Sequence, residues 1–162
     1  MRRIIRRREI VADELRYEGE ERGPGTYAVQ TLSEWLAAPA APRATPGMAA
    51  VLLRAPDEVE ALTPRLEQVR WIVVEFAKTG EGRGFSQARL LRQRYRYQGE
   101  LRARGAIGRD QLFFLARCGF DAFDLDPSED LQAALAAFDS FSVAYQGGSE
   151  GVVHVHERAP GA

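Results

Sequence analysis

The residue types best suited to chemistry gather near the middle of the chain. Lys78-Thr79-Gly80-Glu81-Gly82-Arg83-Gly84 reads as a glycine-rich loop that leaves a hydrophobic run and opens into a helix at Phe85 and Ser86. Free amides at a helix N-terminus, flanked by Lys78 and Arg83, suit an anion such as phosphate, sulfate or a carboxylate. Arg89, Arg92 and Arg96 follow at spacings that place them within an arc of roughly 60° on a helix, where their planar forks suit oxyanions or acidic side chains of a partner. Each feature has a plainer counterpart. Gly80-x-Gly82-x-Gly84 lacks the third glycine position of a dinucleotide fingerprint and the lysine–hydroxyl ending of a P-loop, so a simple tight loop competes with a phosphate cradle. The arginine face competes with a solvated helix surface whose expected partners are Glu100 and Asp110, in pairs worth about 0–1 kcal/mol each.

Other candidates carry less. Cys118 sits on an apolar segment before Gly119 and reads as a buried structural thiol rather than a reactive one. His154-Val155-His156 puts two imidazoles on one strand face, too few ligands for zinc. The sequence contains no Ser-His-Asp set with a recognisable nucleophile turn and no Cys-x-x-Cys pair. It therefore identifies no catalytic residue and no metal site, and calls for no cofactor.

Length and charge narrow the classes. The chain has 162 residues, 45% hydrophobic and 28% charged, with a net charge of −1, as expected of one folded domain. Its longest apolar runs are too short to cross a bilayer, its basic start is followed by no signal-peptide core, and its single cysteine fits a reducing cytoplasm. Residues 81–117 hold nine arginines against three acids, and Asp121, Asp124, Asp126, Glu129 and Asp130 follow directly. The basic stretch lacks an aromatic platform, so neither nucleic acid nor membrane is the expected partner.

The elements that must position these residues alternate. Residues 1–47 read as an N-terminal hairpin, a short helix capped by Thr31 with Glu34 closing a capping box, and an Ala/Pro-rich connector. Residues 48–146 read as a βα core, and 147–162 as a tail. Within the core, strands are expected at 49–54, 71–76, 100–104, 122–125 and 142–146. Helices fall between them: one through Val59, Leu62, Leu66 and Val69, kinked at Pro64 with Thr63 as a new cap; one through Phe85, Ala88, Leu91 and Tyr95; one at 110–118 stopped by Gly119; and one begun by Asp126-Pro127-Ser128-Glu129. The regular alternation predicts a single α/β domain with a small, mostly parallel sheet of about five βα units, either open and doubly wound or a part-barrel. Ligands gather at the carboxyl ends of such strands, which singles out the loops at 77–84, 105–109 and 124–126.

The run Glu81-Gly82-Arg83-Gly84-Phe85-Ser86-Gln87-Ala88-Arg89-Leu90-Leu91-Arg92 resembles a family of uncharacterised bacterial proteins described as oxidoreductases of unknown function. Gly99-Glu100-Leu101-Arg102-Ala103-Arg104-Gly105, Asp110-Gln111-Leu112 and Arg117-Cys118-Gly119-Phe120-Asp121-Ala122-Phe123 continue the likeness, and Glu9-Ile10-Val11-Ala12-Asp13 fits its opening. Genes of that family commonly lie beside the assimilatory sulfite reductase haemoprotein. Its characteristic positions are matched by Gly82, Arg83, Ser86, Arg89, Arg92, Glu100, Arg102, Gly105, Asp110 and Gln111. Two departures stand out. The family usually has aspartate where this chain has Glu81, and glycine where it has Arg96 before Tyr97.

The resemblance implies a pathway, sulfite reduction, but no mechanism. Two functions are expected from it: an accessory or partner protein of the sulfite reductase haemoprotein, docking through Lys78, Arg83, Arg89, Arg92 and their neighbours, or an anion-binding enzyme that holds a small oxyanion on the 80–84 loop.

Overall fold

In the computed structural model, residues 2–21, 23–39, 47–78 and 82–144 are described. Eight strands form one mostly parallel sheet in the order β2-β1-β8-β7-β6-β5-β4-β3. They are β1 (Arg3–Arg6), β2 (Glu9–Ala12), β3 (Leu15–Arg16), β4 (Tyr27–Thr31), β5 (Ala49–Leu53), β6 (Val69–Phe76), β7 (Glu100–Gly105) and β8 (Ala122–Asp124). From β3 to β8 neighbours are parallel and follow chain order, whereas β1 runs antiparallel to both β8 and β2. An unbroken chain order has no reversal point. With right-handed crossovers it puts every connecting helix on one face, which makes the sheet a part-barrel rather than a doubly wound sheet.

The curl follows from connectivity. The first and last strands in the order, β2 and β3, are joined by Asp13 and Glu14 alone, so Ala12 and Leu15 lie within roughly 11 Å. Asp13 N–H donates to Arg2 O at 2.9 Å, extending the β1–β2 ladder, while Tyr27 N–H donates to Glu14 O at 2.8 Å, extending β3–β4. One short segment thus ties the two ends of a half-barrel together.

Hydrophobic residues on the outer face, among them Val51, Ile72, Val74, Leu101, Ala103 and Phe123, pack against Ala88 and Leu91 of α2 (Gly82–Arg89) and the turn after it. Leu112, Leu115 and Cys118 of α3 (Leu112–Cys118), and Ala134 and Phe138 of α4 (Leu131–Ala144), complete that layer. Leu15, Tyr17, Ala50, Leu52, Trp71 and Val73 fill the inner face as a separate cluster. The two faces alternate residue by residue along β5, β7 and, past a bulge at Arg70, β6, as the pleat requires.

Several expected elements are present. Thr31 and Glu34 form the capping box of α1 (Leu32–Ala37), Gly119 ends α3 at φ 115°, and Cys118 is buried. Others differ. The expected N-terminal hairpin is present as β1 and β2, but the sheet has eight strands rather than about five, because that hairpin joins the same sheet and β3 and β4 continue its parallel order. Residues 142–144, expected to begin a fifth core strand, continue α4. Val59–Gln68 is 3-10 rather than α-helical and breaks at Arg65 (φ −133°), immediately after Pro64. The cap of α4 is Asp130, which accepts from Gln132 N and Ala133 N, while Asp126 closes a turn on Ser128. His154, His156 and residues 145–146 and 147–162 lie outside the described residues. Among the described residues no helix is long and apolar enough to cross a membrane, and no cluster of His, Cys, Asp or Glu could hold a metal.

Candidate functional site

Charge enters the half-barrel through the inner positions of β7. Glu100, Arg102 and Arg104 alternate with Leu101 and Ala103, so all three point to the face opposite the helices. Arg102 is fully buried. Its Nη1 donates to Asp13 Oδ1 at 2.7 Å, and its Nε and Nη2 donate to Glu100 Oε1 at 3.0 and 2.8 Å. Glu100 is shared with Arg6, 2.6 Å away, and Arg6 also meets Glu14. Burial works against ionisation of Asp13, but the Arg102 guanidinium and the Leu15 amide outweigh it and hold the carboxyl below its usual range. A lone charge could not persist here; a hydrogen-bonded pair can.

Above this layer, at the carboxyl ends of the strands, the charges alternate in sign. Arg54 follows β5, Glu75 lies on β6, Arg104 on β7, Asp124 on β8, and Arg2 precedes β1. Glu75 and Arg104 are register partners, as are Arg104 and Asp124. Arg54 Nε lies 3.4 Å from Glu75 Oε1, Arg104 Nε 3.0 Å from Asp124 Oδ2, and Arg2 Nε 3.8 Å from the same oxygen. Arg104 also stacks 3.6 Å from the centre of the Tyr17 ring, with Arg2 at 4.8 Å. Burial raises the Asp124 carboxyl above its ordinary value despite both arginines, and pushes the Tyr17 hydroxyl up to about 12. Among the described residues that hydroxyl has no hydrogen-bond partner. Two grooves open on this rim, of about 580 Å³ and 470 Å³, and Arg104 lines both.

The residues singled out by sequence are divided between the two faces. Glu100 and Arg102 belong to the inner network, across the sheet from α2. Arg83 donates to Ala55 O and pairs with Glu58 at 3.0 Å. Arg92 caps three carbonyls, donating to Gly119 O (2.9 Å), Tyr97 O (2.7 Å) and Gly99 O (2.9 Å). These guanidinium groups do not converge on one spot, and Glu100 and Asp110 are not their partners. Ser86 bonds back to Gly82 O, and Gln111 accepts from Gly108 N. Lys78, Arg89 and Asp110 are exposed. Residues 79–81 of the glycine loop lie outside the described residues. Of its remaining glycines, Gly82 faces open space, while Gly84 is a packing position whose added Cβ would fall 2.6 Å from the Phe76 ring.

Residues 50–155 match a family described as bacterial protein of unknown function (DUF934). The chain belongs to that family. No curated protein matches it. In this DUF934 member the position before Tyr97, where the sequence resemblance expects glycine, is Arg96 at φ 54°. The turn keeps a left-handed backbone although its residue has a side chain. It follows a π-helical turn, Leu90–Arg94, whose bond runs from Tyr95 N–H to Leu90 O.

Sequence reasoning missed Arg2, Asp13, Tyr17, Arg54, Glu75 and Arg104, although the turn at Asp124 was among the three loops expected to matter. The available signal was period-two placement of charge: Glu100-x-Arg102-x-Arg104 on a strand with apolar alternates puts a charged stripe on one face.

Proposed function

We propose that this protein is an accessory or partner protein of assimilatory sulfite reduction and docks through the outer arginine surface of α2 and the turn after it. The observation that supports the reading is a set of exposed guanidinium groups without a carboxylate within ion-pair distance among the described residues: Arg89, Arg94 and Arg96, with Arg70, near the start of β6, lining one groove with Arg96. Arg83 and Arg92, by contrast, hold the fold. The pathway comes from the family resemblance carried by residues 81–92 and 99–123.

Arginine and aromatic residues are enriched where proteins meet, and Phe114 of α3 is 47% exposed and packs edge-on against Phe85 of α2. Unpaired charge at such a surface sets encounter rate and orientation, so association should weaken steeply with salt. Co-purification of the tagged chain with the sulfite reductase haemoprotein at low and high salt tests the proposal. Retention at low salt that is lost in the Arg89→Glu/Arg94→Glu variant supports it. Absence of retention at low salt counts against it. Deletion of the gene should give cysteine auxotrophy relieved by sulfide but not by sulfite.

A further inference from the structure

We propose that the larger groove at the carboxyl rim of the half-barrel, over Arg54, Glu75 and Arg104, binds a small zwitterion of the α-amino-acid type. Ligand sites of parallel α/β sheets lie at this end of the strands, because loops there can vary while the strands hold side chains rigidly. The groove has about 580 Å³, enough for an amino acid and its side chain, and its wall combines Leu52 and Val29 with charged groups.

The alternation of sign selects the ligand class. Arg54 and Arg104 flank Glu75 across three neighbouring strands, while Glu20, in the same groove, is already held by Arg2 and the Tyr17 amide. A bare anion drawn to either arginine meets the Glu75 carboxylate between them. A bare cation drawn to Glu75 meets guanidinium on both sides. A ligand carrying both charges matches the row, its carboxylate on Arg54 and Arg104 and its ammonium on Glu75. Arg104 is ready for that role: Asp124 holds its Nε at 3.0 Å and the Tyr17 ring supports its plane at 3.6 Å, so little side-chain freedom is lost on binding. The Arg54 and Glu75 side chains remain 52% and 29% exposed, and their 3.4 Å contact is loose enough to open for a ligand. The site is separate from the docking surface, because Arg89 and Arg94 stand on the outer layer.

Calorimetric titration of the full chain with glycine and L-serine, against acetate and methylamine, tests the inference. The amino acids should saturate one site, and acetate or methylamine should bind about tenfold or more weakly, since each lacks one charged contact. Glu75→Gln and Arg54→Ala should each weaken amino-acid binding by about tenfold, and both sit on the rim, where circular dichroism should show an intact fold. No saturation by either amino acid at millimolar concentration overturns the proposal. So does acetate binding as tightly as glycine, or a Glu75→Gln variant that binds glycine unchanged.

Discussion

Arg102 Nη1 lies 2.7 Å from Asp13 Oδ1 inside the curled sheet, and the contact joins β7, a central strand, to the two-residue link between the sheet's end strands. Both side chains are essentially removed from water. The pair therefore pins the curl where the sheet would otherwise be free to open.

Each charge keeps a second partner, Arg102 on Glu100 and Asp13 on Arg2, so Asp13→Asn or Arg102→Met should each lower unfolding stability by about 1.5–3 kcal/mol, the cost of a lost charged hydrogen bond. Replacing both together, as Asp13→Leu with Arg102→Met, should recover a large part of that loss. Urea unfolding of the two single variants and the double variant makes the comparison. Equal stability of Asp13→Asn and wild type would show that the pair does not hold the curl.

The same carboxyl makes stability depend on acid. Asp13 has a folded-state value below its unfolded one, so its contribution is fully present above the unfolded value and disappears as pH falls through the folded value. Wild-type stability should consequently drop more steeply below the ordinary aspartate range than that of Asp13→Asn. Asp124 acts in the opposite sense. Its raised value means that the folded state takes up a proton first, and that stability from this group declines as pH rises through the raised folded value. Urea midpoints measured from neutral to acid pH, with Asp13→Asn for comparison, separate the two slopes.

Arg96 carries a left-handed backbone at φ 54° without any ion pair among the described residues. Arg96→Gly should raise stability by about 0.5–1 kcal/mol, read as a higher thermal midpoint. Arg8, also left-handed at φ 66°, differs because its guanidinium pairs with Asp139 at 3.0 Å and covers the Phe138 ring at 4.7 Å. Arg8→Gly should bring no gain, since it removes those contacts along with the strain.

Two arginines one helical turn apart have opposite jobs. Arg92→Ala strips donors from three carbonyls around Gly119 and Tyr97 and should cost about 2–3 kcal/mol. Arg92→Lys should restore little, because an ammonium cannot reproduce the fork. Arg89→Ala should change stability by less than about 0.5 kcal/mol while weakening retention of the sulfite reductase haemoprotein at low salt. A stability loss at Arg89 equal to that at Arg92 would remove it from the docking surface.

The amino-acid sequence alone determined whatever depends on neighbours along the chain. The apolar runs around Val51, Val73 and Phe123 gave buried strands, Gly119 ended α3, Thr31 with Glu34 opened α1, and strict β-helix alternation called for a mostly parallel sheet. These are local preferences of backbone and period, so a few residues suffice to read them. Only the tertiary structure decided the curl and the charged rim. Asp13 and Arg102 are 89 residues apart, Arg54, Glu75, Arg104 and Asp124 meet only because four strands align in register, and the stripe on β7 reads equally well as solvent-facing until β3 folds over it. The arginines of α2 show the same division. Helical spacing placed Arg92 and Arg89 near one another, but which one caps carbonyls and which one reaches water depended on where Gly119 and Tyr97 came to rest, because a guanidinium's role is set by the partners that packing brings to it.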